Sequence, residues 1–157
     1  MNIFVLSTEP RECARMHYDA HVVKMCLEYA QILFTSARLR GFEHVGYKST
    51  HKNHPCVKWA EDPVNWAWLL DLATCLGKEY TQRFGRKHAS TEALRFLPEE
   101  LVVSAAFMTE QPRSFALAMP EEFYRDDAVS AYRAYYKKGK AHLLKYSAPA
   151  VVPSWLS

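Results

Sequence analysis

No GxxxxGK[ST] or GxGxxG phosphate loop occurs in these 157 residues, nor a GxSxG elbow or a CxxC pair. The common nucleotide-loop and serine-hydrolase chemistries therefore have no motif to stand on. Four cysteines, Cys13, Cys26, Cys56 and Cys75, lack metal-finger spacing, and Cys26 and Cys75 sit among apolar neighbours as reduced core thiols do. The opening MNIFVLSTEP has neither the basic start nor the long apolar run of a signal peptide. No apolar stretch approaches the ~20 residues that span a bilayer. A chain without a membrane partner, in a reducing cytoplasm, is expected. Charge of one sign is also scarce: the net +3 permits a nucleic-acid partner without demanding one. With 49% hydrophobic residues, the length suits one domain over residues 1–157.

What the chain does have is a helical stretch of unusual polarity, HYDAHVVKMCLEYAQILFT at positions 17–35. At 3.6 residues per turn, His17, His21, Lys24, Glu28, Gln31 and Thr35 share one arc about 80° wide. Nearly everything outside that arc is apolar, Asp19 excepted. A helix apolar nearly all round is a buried one, so its polar seam is expected to line a cleft. Each part also has a plainer reading. A single histidine is more often a satisfied core group, and Lys24 with Glu28 makes an ordinary i,i+4 pair worth roughly 0.3 kcal/mol. A metal reading rests on His17 and His21, four apart, with His51 or His54 as a third ligand. Lys24 in the same seam argues against a cation there, so no metal and no cofactor is expected.

The rest reads as helices. Positions 2–6, NIFVL, form a short extended segment, and Thr8 is placed to cap a helix that opens with Glu9 and Pro10. That helical pattern runs to about Arg40 with a break near 15–18, and Gly41 stops it. After a loop at 41–53, His54-Pro55 opens a short helix and Asp62-Pro63 a long one ending at Gly85. One or two short helices over 91–107 are interrupted by Pro98, and residues 109–120 read as irregular. A final helix is predicted from about Asp127 to Tyr146, with Trp155 docking the tail. The fold class is an all-α, compact, single-domain helical bundle.

Two basic clusters supplement the seam. Lys48, His51, Lys52, Asn53 and His54 occupy a loop ahead of two helices, where phosphates can be held by side-chain charge and helix N-terminal amides. Arg83, Lys87 and His88 lie in RFGRKH, and Arg133 stands among Tyr132, Tyr135, Tyr136 and three lysines. Either is ordinary solvated surface on its own. Interleaved aromatic and basic residues nevertheless suit nucleic-acid contact.

Taken together, DAHVVKMCLEYAQIL, YKSTHKNHPCVKWA, EYTQRFGRKH, ALAMPEEFY and VSAYRAYY resemble a set of small phage-type proteins over nearly the whole chain. More distantly, the DxH helix with a glutamate seven residues after its histidine, followed by NHP, resembles the phage pyrimidine-dimer DNA glycosylase/AP lyase (endonuclease V) family. That resemblance implies a compact all-α domain, acting as a monomer on double-stranded, damaged or modified DNA. It implies a catalytic role for Glu28 and a DNA-holding role for His21. The departures are specific. Ala20 and Tyr18 replace a usual Lys and Cys, so neither is given a chemical role. The family's nucleophile is the α-amine of a threonine exposed by removal of the initiator Met, whereas Asn2 here is too large for routine removal of Met1. The arginines flanking the family's glutamate are absent too, with Leu27 before Glu28 and Gln31 three beyond. Phosphate gripping would pass to Lys48, Lys52, Arg83 or Lys87, with His17, Gln31, His51, Asn53, His54, His88 and Arg133 as further DNA contacts.

A glycosylase/lyase needs an unprotonated amine to attack C1′ and a carboxylate to stabilise charge and carry protons. An α-amine ordinarily titrates near 7.7–8 and a lysine near 10.4, so the former needs less tuning. The expected catalytic set is Glu28 and His21 with either the Met1 amine or Lys24 as nucleophile, Lys24 requiring a dry cationic pocket. Two other functions fit the same residues: a phage enzyme processing modified bases or nucleotides, and a non-catalytic DNA-binding domain.

Overall fold

The computed structural model describes residues 1–43 and 45–157. Among these residues seven α-helices carry the fold: α1 (Pro10–Met16), α2 (Asp19–Leu39), α3 (Pro55–Trp59), α4 (Pro63–Phe84), α5 (Ala89–Ala93), α6 (Glu99–Ala106) and α7 (Ala128–Ala134). Among the described residues there is no strand. The all-helical expectation is met.

Helices α2 and α4 form the spine. Asp62 caps α4 by accepting from the Val64 and Asn65 amides at 2.9 and 3.3 Å, with Pro63 supplying the first-turn φ. Gly85 closes α4 in the left-handed conformation, φ +68°. Leu69, Leu72 and Leu76 of α4 join Met25, Ile32 and Leu33 of α2 in one buried cluster. Each such side chain contributes about 1.5–3 kcal/mol on full burial. The Trp66 indole N–H donates to the Leu33 carbonyl at 3.2 Å and ties the two helices directly.

The break between α1 and α2 falls at His17 and Tyr18, inside the expected 15–18 window. The N-cap expectation for Thr8 fails: Glu9 takes that position, without a side-chain bond. The first turn of α2 is instead served from the far end of the chain. The Asp19 amide donates to the Lys145 carbonyl at 2.8 Å, and the Asp19 carboxylate accepts from the Ser147 hydroxyl at 2.6 Å and amide at 3.0 Å. This pull on residues 145–147 explains a second difference. The final helix ends at Ala134, passes into a π-turn at Tyr135–Gly139, and breaks into a 3₁₀ turn at Ala141–Leu143 rather than running on to Tyr146. Trp155 does dock the tail, lying under the Arg133 guanidinium at 5.2 Å.

Residues 2–6 are extended without a partner strand, so side chains take the place of a ladder. The Phe4 amide donates to the Tyr29 hydroxyl at 3.2 Å, the Leu6 amide to Cys13 Sγ at 3.3 Å, and Arg133 Nε to the Leu6 carbonyl at 3.0 Å. The Cys13 thiol donates in turn to the Phe4 carbonyl at 3.2 Å. His17 completes the set: its Nδ1–H donates to the Cys13 carbonyl at 2.8 Å while Nε2 accepts from Tyr29 at 2.7 Å. That pattern requires a neutral ring. Burial, aided by the charge of Arg83 and opposed by the bond to Cys13, lowers its pKa to about 4.

Arg83 is the buried cation of this end. Its fully buried guanidinium donates to the carbonyls of His17 and Arg15 at 2.7 and 3.0 Å, and to the carboxylates of Asp19 and Glu79 at 3.3 and 3.1 Å. Burial works against the Asp19 carboxylate, yet the Ser147 and Arg83 bonds together hold it below the usual range.

Arg83→Ala is expected to lower the unfolding free energy by about 3–5 kcal/mol in urea titrations, because it strands two carboxylates and two carbonyls. His17 gives a pH signature. Its folded pKa lies below its unfolded one, so the stabilisation is complete above about 6.5 and is lost as pH falls towards 4, on the order of 3 kcal/mol. Melting temperature should therefore drop across that window, and the slope should flatten in His17→Gln.

Candidate functional site: the open face of the second helix

At 100° per residue, Ala20, Val23, Lys24, Leu27 and Gln31 fall in one arc of α2 about 100° wide. The first four are exposed and Gln31 is half-buried. Helix α2 is thus not enclosed all round, and its open face is not the predicted seam. His21 and Thr35, the ends of that seam on α2, are buried, and His17 lies ahead of the helix. Only Lys24, Glu28 and Gln31 reach the surface.

Three elements pack alongside the open face. Along one edge α5 packs against α2, where the half-buried His88 hydrogen-bonds the main chain of Val23 and Thr91 lies beside Cys26. Gly77 lets α5 lie close against α4 as well, since a Cβ there would overlap the Thr91 side chain. At the C-terminal end, residues 46–50 cross over the helix. Gly46 sits against the Phe34 ring, Tyr47 donates to the Ser90 hydroxyl at 3.1 Å, and the Thr50 amide donates to buried Thr35 Oγ1 at 3.1 Å. The other edge is formed by Glu28 and the start of the chain.

At that edge the Asn2 amide donates to Glu28 Oε2 at 3.0 Å, and the Met1 α-amine stands 3.8 Å from the same oxygen. Lys24 Nζ lies 3.5 Å from Oε1. The Met1 side chain is only 2% exposed although the residue as a whole is half-buried. What Met1 shows to solvent is therefore its main chain. Asn2 fixes this arrangement. Its Oδ1 accepts from its neighbour Ile3 N–H at 2.7 Å and from the Tyr132 hydroxyl at 2.9 Å, and its Nδ2 donates to the Ala118 carbonyl at 2.7 Å. The Cys56 thiol also faces Asn2 Oδ1, at 3.8 Å; burial pushes it up to about 12, which leaves it protonated.

His54 completes the edge. Its Nδ1 accepts from the Cys56 amide at 3.1 Å, capping α3 and leaving the ring proton on Nε2. Burial first, then the positive charges of the N-terminus and His51, lower its pKa, while Glu28 opposes them. Imidazole, amine and carboxylate thus share one electrostatic neighbourhood.

Several expected site residues lie elsewhere. His17 and Arg83 are interior supports and have no surface from which to touch DNA. His21 is not an acid–base group. Its Nδ1 bonds the Tyr136 hydroxyl at 2.7 Å, its ring stacks on Tyr18, and burial drives its pKa down to about 2. Arg133 is spent on the Leu6 carbonyl and the Trp155 ring. Tyr132 and Tyr136 point into the core rather than forming a stacking platform. In contrast Lys48, His51, Lys52 and Asn53 are exposed on the loop that bounds the open face, and Lys87 is exposed beside His88, 3.7 Å from Glu92. Among the described residues no three His, Cys, Asp or Glu side chains gather as a metal group, and no helix is long and apolar enough to cross a membrane.

Sequence reasoning gave Val23 no role, and it noted Asn2 and Leu27 only as departures from the family pattern and Tyr132 only as part of a basic, aromatic surface. The one available signal was Asn2, a polar residue at the head of an apolar run that is extended rather than helical. No family model matches this chain, and no curated protein or solved structure does either.

Tyr132→Phe removes the hydroxyl that Asn2 Oδ1, the Ala116 carbonyl and the Ala118 amide share at 2.9, 2.8 and 3.3 Å. A loss of about 1–2 kcal/mol in unfolding free energy is expected. Faster amide hydrogen exchange in residues 2–6 should accompany it.

Proposed function

We propose that this chain is a DNA base-lesion glycosylase/AP lyase whose nucleophile is the α-amine of a retained Met1, with Glu28 as its partner. The observation that carries the reading is the Met1 amine 3.8 Å from Glu28 Oε2, with the methionine side chain buried beside it. This speaks to the main departure from the endonuclease V pattern. A residue too large for Met removal is compatible with an N-terminal nucleophile if Met1 itself supplies the amine. Lys24 is less suited, because its side chain is 66% exposed and lacks the dry enclosure a lysine nucleophile requires.

The chemistry follows from the pair. The free amine attacks C1′, the C1′–N bond to the base breaks, and the base leaves with the electron pair and takes up a proton. Opening of the sugar ring gives an iminium between C1′ and the Met1 nitrogen. Glu28 stabilises that cation and accepts a C2′ proton as the 3′ phosphate departs. Extrusion of the nucleotide costs a few kcal/mol, less for a damaged or mispaired base. Lys48, His51, Lys52 and Asn53 on the bounding loop supply phosphate contacts. A domain that only bound DNA would have no use for an amine beside a carboxylate.

Borohydride trapping on abasic duplex DNA tests this. Wild type should give a covalent adduct that maps by mass spectrometry to the N-terminal peptide. Dimethylating the α-amine should abolish it, Glu28→Gln should slow it by about 10²–10⁴-fold, and Lys24→Ala should retain it. Absence of a wild-type adduct overturns the lyase reading; an adduct mapped to Lys24 overturns the Met1 assignment.

A further inference from the structure

Helix α6 is apolar on two sides. It packs on α4 with Leu101 buried and Ala105 against the core. At 100° per residue the outer side carries Val102, Val103, Ala106 and, at the C-cap, Phe107, in one arc about 140° wide. All four are exposed, Val103 at 51% and Phe107 at 80%. Scattered exposed aliphatics are common on any protein. A contiguous stripe is different, because a helix already docked by one apolar face gains nothing from a second unless something covers it.

The surrounding charge says what kind of partner that is. Glu99 lies within the arc and Glu100 at its edge. At the other end of α6 a cavity of about 170 Å³ opens between α6, α4 and the start of α1. Its lining includes three acidic residues, Glu9, Asp71 and Glu110, and the apolar Trp68 and Met108, but no basic residue. Ala105 belongs to that lining and sits about 60° round the helix from Val102, so cavity and stripe adjoin. None of the five acidic side chains is ion-paired among the described residues. Glu9, Glu99 and Glu100 suit the dipoles at the starts of α1 and α6; Asp71 and Glu110 have no such role. Arg95, the cation just ahead of α6, lies over the Phe96 ring at 4.7 Å.

A face of this charge repels DNA. Both ends of the stripe are acidic, so a two-fold contact with a second copy would set like charges together in either orientation. We propose that the outer face of α6 and the adjoining acidic cavity bind a basic amphipathic helix of a partner protein. The apolar side of that helix covers Val102, Val103 and Phe107, and one of its lysines or arginines meets the cavity. None of these residues belongs to the Met1–Glu28 site, so the docking face and the lyase stand or fall separately.

The probe is a fluorescein-labelled helical peptide of about 18 residues, leucines on one face and lysines on the other, with its leucine–glutamate counterpart as control. Fluorescence anisotropy on the full chain should show the lysine peptide bound at least about tenfold more tightly than the glutamate one. Val103→Ser/Phe107→Ser should weaken it at least about tenfold, while Val103→Leu/Phe107→Leu, still apolar, should stay within about twofold of wild type. Asp71→Asn/Glu110→Gln should weaken binding and flatten its salt dependence. All four positions are exposed, and circular dichroism checks the variants' folding. Equal affinity for the two peptides, binding that survives the double serine variant, or no binding of the lysine peptide overturns the proposal. So does dimerisation in sedimentation velocity, or binding of duplex DNA, that the double serine variant abolishes, because either names a different occupant.

Discussion

Everything at the site depends on how the extended segment 2–6 is held inside a helical protein. Residues 2–6 have no strand to pair with, so their main-chain groups would be costly to bury unaided. The cost is met by side chains from three helices: Tyr29 of α2, Cys13 of α1 and Arg133 of α7. His17, wedged at the break between α1 and α2, fixes Tyr29 and Cys13 in turn. This network sets the path of the N-terminus and so the position of the Met1 amine. A small displacement of Phe4 or Asn2 would carry the amine away from Glu28.

The same economy of roles explains the two histidines of the HYDAH stretch and the arginine of RFG. They lie close to the Met1–Glu28 pair in sequence or in space, yet each supports structure. Both histidines are buried and neutral, His17 with both ring nitrogens bonded and His21 with Nδ1 bonded to Tyr136. Arg83 binds together the C-terminus of α1, the start of α2 and the last turn of α4. Such groups keep the outer surface of α2 firmly oriented, which a site built on its exposed face requires.

The local signals in the chain were reliable where they rested on backbone chemistry. Asp62-Pro63 and Gly85 bound α4, Gly41 follows α2 at φ +88°, and Pro98 separates α5 from α6. They failed where a distant segment intervened. The expected helix over 127–146 breaks because residues 145–147 are drawn off to serve Asp19. The polar seam on α2 was read from periodicity alone, and periodicity says which residues share a face, not what covers that face. Tyr18, Tyr136 and Phe4 close over His21, and loop 46–50 closes over Thr35, leaving Lys24 and Glu28 open between them.

By itself the sequence determined the helical character of the chain, most helix boundaries and the pairing of Lys24 with Glu28, because each depends on residues within a few positions of one another. Only the tertiary structure decided which of the polar residues face water, and that the first residue of the chain meets the twenty-eighth. Those outcomes depend on contacts between segments up to 130 residues apart, such as Tyr132 with Asn2. No local pattern encodes them, because an amide, a hydroxyl or an imidazole reads the same in sequence whether its partner is a neighbouring segment or solvent.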